Sequence, residues 1–161
     1  MHSYRWGAFC YIRQTYADAV LSRYEPANAA WLRRELAEMK AVRGIRGAVT
    51  VDCDSPEEIL SRTSDLLNRM VSENGVDEED IIHIMFTSTP DITSAFPATA
   101  ARHLGWMDTP LISAVEMDVT GSLDRCIRVL MTVHSSRTKQ EIRHIYLGRA
   151  KKLRPDLAGP E

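Results

Sequence analysis

The order of apolar runs and helix-start signals along the chain predicts an α+β (α/β-like) domain with about five strands packed against helices. Three observations carry that prediction. Short β-branched or apolar runs recur between helical stretches, capping patterns stand where helices should begin, and the 161-residue length suits one domain. A chain of this size buries roughly 68–70% of its unfolded surface, enough for a core without metals or disulfides.

The first run, Ala41 to Asp52 (AVRGIRGAVTVD), is rich in small and β-branched residues and reads as a strand. Ser55-Pro56-Glu57-Glu58 then opens a helix, with Ser55 as cap, Pro56 in the first turn and Glu58 completing a capping box. Ile59, Leu60, Thr63, Leu66, Leu67, Met70 and Val71 follow at helical spacing, and Asn74-Gly75 ends the helix. Ile81 to Thr87 is a nearly continuous apolar run, the pattern of a strand covered on both faces. After the polar turn Ser88-Thr89-Pro90-Asp91, a short helix is predicted from Pro97 to Gly105, and Leu111 to Met117 reads as a strand. Ile127 to His134 alternates cleanly, with Ile127, Val129, Met131 and Val133 on one face and Arg128, Leu130 and Thr132 on the other. Thr138 to Glu141 repeats the capping-box pattern and predicts a third helix, and Ile142 to Leu147 leads into a final strand.

Residues 1–38 differ from this body. Seven of the eleven aromatic residues lie there, and its only cation is Arg, Lys appearing first at Lys40. Ile12, Tyr16, Ala19 and Val20 share one helical face, and Pro26 is placed to open a second helix with Trp31, Leu32 and Met39. The run Gly7 to Ile12 is too short for a secretory signal. The segment reads as an extension outside the core, or as upstream sequence from an early start codon, with the domain proper over 39–161.

Composition excludes several classes of function. With 44% hydrophobic residues the chain is too apolar for disorder, and its formal charge of −2 lacks the electrostatic footprint of a nucleic-acid binder. No apolar run reaches the ~18 residues of a membrane span. Cys10, Cys53 and Cys126 are odd in number and widely spaced, so no disulfide framework is expected and the protein reads as soluble, reduced and cytoplasmic.

The common catalytic signatures are missing as well: there is no nucleophile elbow, Walker loop or dinucleotide fingerprint. The five histidines, His2, His83, His103, His134 and His144, never fall at metal-ligand spacing, so no metal is expected. Glu116 and Asp118 would share a strand face. They read as solvated carboxylates at a strand end, with metal binding or acid–base pairing as the alternative. The arginines say more. Arg46 has small neighbours in Gly44-Ile45-Arg46-Gly47-Ala48, which leave room for a ligand. Arg128 interrupts an apolar strand, and a guanidinium there needs either a partner, for which Glu116 is available, or an anionic ligand. Two such arginines suggest a small dianion, because Arg recognises carboxylates through paired N–H donors.

The same residues carry a resemblance to the monofunctional AroH-type chorismate mutases. It rests on Arg43-Gly44-Ile45-Arg46-Gly47-Ala48, Ser88-Thr89-Pro90-Asp91, Phe96-Pro97-Ala98 with Arg102, Glu116-Met117-Asp118-Val119-Thr120-Gly121, Cys126-Ile127-Arg128-Val129, Ile142-Arg143-His144-Ile145-Tyr146-Leu147 and Leu153-Arg154-Pro155-Asp156-Leu157. These stretches run in family order from Lys40 to Leu157 and leave residues 1–38 uncovered. The resemblance implies a mixed five-stranded sheet packed against helices, the chorismate-mutase/YjgF-like fold, assembled as a pseudo-barrel homotrimer with sites between subunits. It also implies isomerisation of chorismate to prephenate without a cofactor, the branch step toward phenylalanine and tyrosine. By the same resemblance Arg128 meets the ether oxygen and the enolpyruvyl carboxylate, Arg46 and Tyr146 hold substrate carboxylate, and Glu116 accepts a hydrogen bond from the ring hydroxyl. Phe96 would pack on the ligand, Arg102 would stand near the entrance, and Leu153 and Arg154 would close over the site. Ser113 stands where the family often has Cys, and Thr99 where it often has Lys. Ser still donates a hydrogen bond, whereas Thr99 weakens attraction of a dianion. Competing expectations are a RidA-like enamine/imine deaminase, which also holds a carboxylate with Arg, and a non-enzymatic trimeric binder of a carboxylate metabolite.

Overall fold

The computed structural model describes residues 39–157, and the two helices expected before Met39 lie outside the described residues. Strand β1 (Ala41–Thr50) is followed by helix α1 (Pro56–Asn74), a one-turn 3-10 segment (Glu78–Asp80) and β2 (Ile81–Ser88). A crossover containing the short helix α2 (Thr99–His103) leads to β3 (Leu111–Val115), and β4 (Cys126–Ser135) is followed by the two-residue β5 (Ile145–Tyr146) and a 3-10 segment (Gly148–Leu153). The five strands form one mixed sheet in the order β3-β2-β4-β1-β5. β4 lies at its centre, antiparallel to β1 and β2, while β3 and β5 add parallel at the edges. This is the expected five-stranded α+β sheet.

Local chemistry sets the element boundaries. Ser55 is extended and its hydroxyl accepts from the Glu58 amide at 3.3 Å, as expected of an N-cap. The Glu58 carboxylate, however, reaches past Ser55 to the amides of Asp52 at 2.9 Å and Cys53 at 3.0 Å, so it closes the turn between β1 and α1. At the other end Gly75 takes φ of 60°, a left-handed conformation suited to glycine.

The third expected helix does not form. Thr138 donates from its amide at 2.7 Å and its hydroxyl at 2.8 Å to Glu141, but these bonds close a turn. The neighbouring backbone is engaged elsewhere. Buried Asn74 donates to the Arg143 carbonyl and accepts from the Arg143 amide, both at 2.8 Å, which pins this segment to the end of α1. The Arg46 amide donates to His144 Nδ1 at 3.1 Å, so an imidazole replaces the next backbone rung and β5 spans two residues.

Helix α1 covers one face of the sheet. Ile45, Leu66, Met70, Phe86 and Met131 meet there with essentially no exposure. Gly47 belongs to this face: a Cβ on it would lie 2.4 Å from Met70 Sδ, so its smallness serves helix packing, while Gly47 also borders the cavity on the opposite face. The apolar β2 run is likewise covered on one face only in the single chain. Ile84 and Phe86 are buried, whereas Met85 is 39% exposed.

Candidate active site

The uncovered face carries the polar residues singled out in the sequence. Strand register places Ala114, Thr87, Arg128, Ala48 and Tyr146 in one row across β3, β2, β4, β1 and β5. Arg46 follows one rung along, opposite Leu130. Side chains two apart on a strand share a face, so Arg46, Ala48, Arg128 and Leu130 rise together. They border a cavity of about 430 Å³ with Met85, Thr87, Tyr146 and Leu153, a volume within the range of small-molecule sites. Ala48 supplies the space beside Arg128 that a larger side chain would fill.

Glu116 stands just beyond β3, its amide donating to the Ser88 carbonyl at 2.9 Å. Arg128 Nη1 donates to its Oε2 at 3.0 Å, and the Thr87 hydroxyl donates to its Oε1. Arg128 is therefore paired, yet only through one nitrogen. Its Nε is buried without a hydrogen-bond partner, as is the Tyr146 hydroxyl; among the described residues these two side-chain atoms alone are so placed. Unpaired buried donors are costly, which marks both as places for a polar ligand atom. His144, bound to the Arg46 amide, titrates below its ordinary value because burial disfavours the charged ring and Arg46 and Arg154 add positive charge nearby. Burial raises the Cys126 thiol, which argues against a thiolate nucleophile there. Among the described residues no three His, Cys, Asp or Glu side chains gather as a metal ion would require.

Residues 42–157 match the family described as chorismate mutase type I. The chain belongs to that family. It is 48% identical over 118 residues to the chorismate mutase AroH of Bacillus subtilis (strain 168), covering 73% of this chain and 93% of that protein. It is 50% identical over 117 residues to the chorismate mutase AroH of Thermus thermophilus, covering 72% of this chain and 96% of that one. A solved chorismate mutase from Clostridium thermocellum superposes with a TM-score of 0.68 at 48% identity, over 68% of this chain and 98% of its own.

Against this chorismate mutase assignment, the residues expected at the site fall into two groups. Arg46, Arg128, Tyr146 and Leu153 line the cavity, and Glu116 binds Arg128 beside it. Phe96 is 74% exposed, and Ser113 lies beside buried Phe86 in the register but is itself exposed. Thr99 opens α2, while the Arg102 guanidinium is spent on the carbonyls of Trp106, Met107 and Thr109. Arg154 forms a paired contact with Asp156 at 2.8 and 2.6 Å. Asp118 does not join Glu116 on a strand face, because β3 stops at Val115. Thr87 and Met85 were not singled out in the sequence. Their signal was alternation within Ile81–Thr87, which puts both on the face opposite Ile84 and Phe86.

Proposed function

We propose that the row centred on Arg128 is the catalytic centre at which this chorismate mutase rearranges chorismate to prephenate. The reaction is unimolecular: the ether C–O bond breaks as a C–C bond forms, and no proton or leaving group departs. Its demands are a compact substrate conformer and a fixed cation where the ether oxygen gains negative charge. Arg128 supplies that cation, and it also meets the enolpyruvyl carboxylate. By analogy with an oxyanion donor, a preorganised cation of this kind contributes about 3–4 kcal/mol to the barrier reduction. Arg46 and the Tyr146 hydroxyl hold substrate carboxylate, and Glu116 accepts from the ring hydroxyl. The observation that supports this reading most directly is the pair of buried, unpartnered donors, Arg128 Nε and Tyr146 Oη, on the cavity wall.

The working unit in this reading is a homotrimer with sites between subunits. The second group of residues supports it: Phe96 and Ser113 are exposed outside the chain's own cavity, where they would complete a neighbour's. Arg102 reaches the entrance by fixing the loop after α2, and Leu153 with Arg154 closes over the ligand. Residues 39–161 suffice for assembly and activity, and the reaction runs in the cytoplasm. Loss of chorismate absorbance on adding purified protein tests the activity. Arg128→Ala should nearly abolish it and Arg128→Lys should restore only part, because one ammonium cannot replace the guanidinium fork. Equal rates for Arg128→Ala and the parent would overturn the assignment. A 39–161 fragment that stays monomeric or inactive would overturn the proposed unit.

A further inference from the structure

A backbone amide in a sheet needs an acceptor, normally a carbonyl of the next strand. The Arg46 amide takes a side chain instead, His144 Nδ1 at 3.1 Å. Backbone pairing begins one residue later, with Gly47 opposite Ile145, Ala48 opposite Tyr146, and the Leu147 amide on the Ala48 carbonyl at 2.8 Å. The half-buried imidazole thus stands where β1 and β5 part. Among the described residues no hydrogen bond braces the Arg46 guanidinium, so its aim follows from where its backbone is held. An imidazole that accepts at Nδ1 carries its one proton on Nε2, and a protonated ring has no acceptor left. The charged groups facing the ring are Arg46 from β1 and Arg154 from the tail, the latter paired with Asp156, while α1 presents uncharged Asn74 to the adjacent backbone. Burial and those two cations hold the ring below its ordinary value, so the neutral, accepting form meets Arg46 at neutral pH.

We propose that His144 is a positioning residue for substrate binding: its neutral imidazole fixes the Arg46 backbone and so aims the Arg46 guanidinium at the substrate carboxylate, and protonation of the ring releases that hold. The inference rests on the reading of Arg46 as a carboxylate-holding residue given above. His144 does not line the cavity, so it acts through Arg46. Protonation sets one N–H against another where an acceptor stood, and this part of β1 is then free to leave the position that directs Arg46. A carboxylate contact is made in ground and transition states alike, so its loss falls on KM while kcat is largely kept.

The test compares KM and kcat for His144→Phe, which keeps a ring without an acceptor, and His144→Asn, which can present an amide oxygen near the place of Nδ1. One hydrogen bond typically shifts an equilibrium by about threefold to tenfold, so His144→Phe should raise KM by that factor and leave kcat within about twofold. His144→Asn should keep KM within about twofold of the parent. From about pH 7.5 to about pH 5 the parent's KM should rise as the ring protonates, and the Asn variant's KM should rise less. Other titrating groups are common to both proteins, so the difference belongs to His144. A scaffolding role would lower kcat through lost folded enzyme at unchanged KM, and a ring acting as a positive charge would lower KM toward acid pH. Either result, or a His144→Asn that does not recover KM, would overturn the proposal. Should His144→Phe fail to fold, the pH comparison of parent and Asn variant decides alone. Arg46→Ala separates this outcome from failure of the underlying reading. An unchanged KM in Arg46→Ala means that the carboxylate assignment of Arg46 itself fails, whereas a raised KM there beside an unaffected His144→Phe removes only the role given to His144.

Discussion

The two faces of the central strand β4 obey different rules. Ile127, Val129, Met131 and Val133 are buried in the core cluster that also holds Leu66, Leu67 and Met70 of α1, with no side-chain polar atom to satisfy and little freedom in volume. Arg128, Leu130 and Thr132 point the other way, where Leu130 is 41% exposed and Arg128 carries an unpaired buried nitrogen. Both conditions on that second face are unfavourable in an isolated chain: exposed apolar area lacks cover, and a desolvated donor lacks an acceptor. A bound dianion and neighbouring subunits would relieve both at once. One face therefore maintains the chain, and the other carries the unfavourable features that the proposed ligand and partner subunits would cover.

Substitutions on adjacent β4 positions should break this comparison cleanly. The largest effect is expected on turnover. Arg128→Ala should cost about a hundredfold to a thousandfold in kcat, the range for loss of one preorganised oxyanion donor. Initial rates beside thermal melts would check it, and a comparable loss of folded protein would show that Arg128 serves the scaffold. On the helix side, Met131→Ala should lower unfolding free energy by about 2–5 kcal/mol, because the transfer loss and the cavity add. Leu130→Ala should cost less than about 1 kcal/mol in the same denaturant titration, and should act instead on assembly measured by sedimentation. If the two substitutions destabilise equally, the two faces of β4 contribute alike to folding and are not distinct.

Sequence periodicity made the helix-covered face legible. Alternation in Ile127–His134 and the 3.6-residue pattern of α1 are local signals, and the residues they assign inward are buried, apart from Leu60 and Val71, which are half-buried against the core. The shape of the other face was harder to read. Arg128, Arg46, Glu116 and Tyr146 stood out in the sequence, Arg128 by its apolar surroundings, Arg46 by its small neighbours, Glu116 as a carboxylate available to Arg128, and Tyr146 with the family resemblance. Thr87 did not, because a threonine at a strand end is unremarkable until register sets it opposite Arg128. The same limit explains Gly47 and the missing third helix. Gly47 is small because α1 passes close over it, and Thr138–Glu141 remains a turn while Asn74 engages the backbone of Arg143. Each depends on a residue more than twenty positions away, which local pattern cannot supply.

Smaller effects sharpen the helix-covered side. Ser55→Ala removes the side-chain acceptor of the Glu58 amide and should cost about 1 kcal/mol in denaturant unfolding. A loss below the error of that measurement would mean that Glu58, through its bonds to Asp52 and Cys53, already holds the turn by itself.

The acid limb of stability gives the mildest test. The Thr93 hydroxyl, followed by the amides of Ser94 and Thr93, holds the Asp54 carboxyl at about 2, below its ordinary 3.8. A depressed folded-state value means that the unfolded chain takes up the proton first. The contribution of Asp54 is therefore complete above pH 3.8 and fades as the pH falls toward about 2. His144 works in the same direction at higher pH. Its folded value lies below the ordinary 6.5, so stability declines as the unfolded ring begins to protonate near that pH. Asp54→Asn keeps one acceptor for Thr93 but removes the titration, so its stability-versus-pH curve should be flatter than the parent's below pH 3.8 and parallel to it above. Parallel curves throughout would show that the link between Asp54 and the loop after β2 is as strong in the unfolded chain as in the folded one, and would remove it from the forces that set this corner of the sheet.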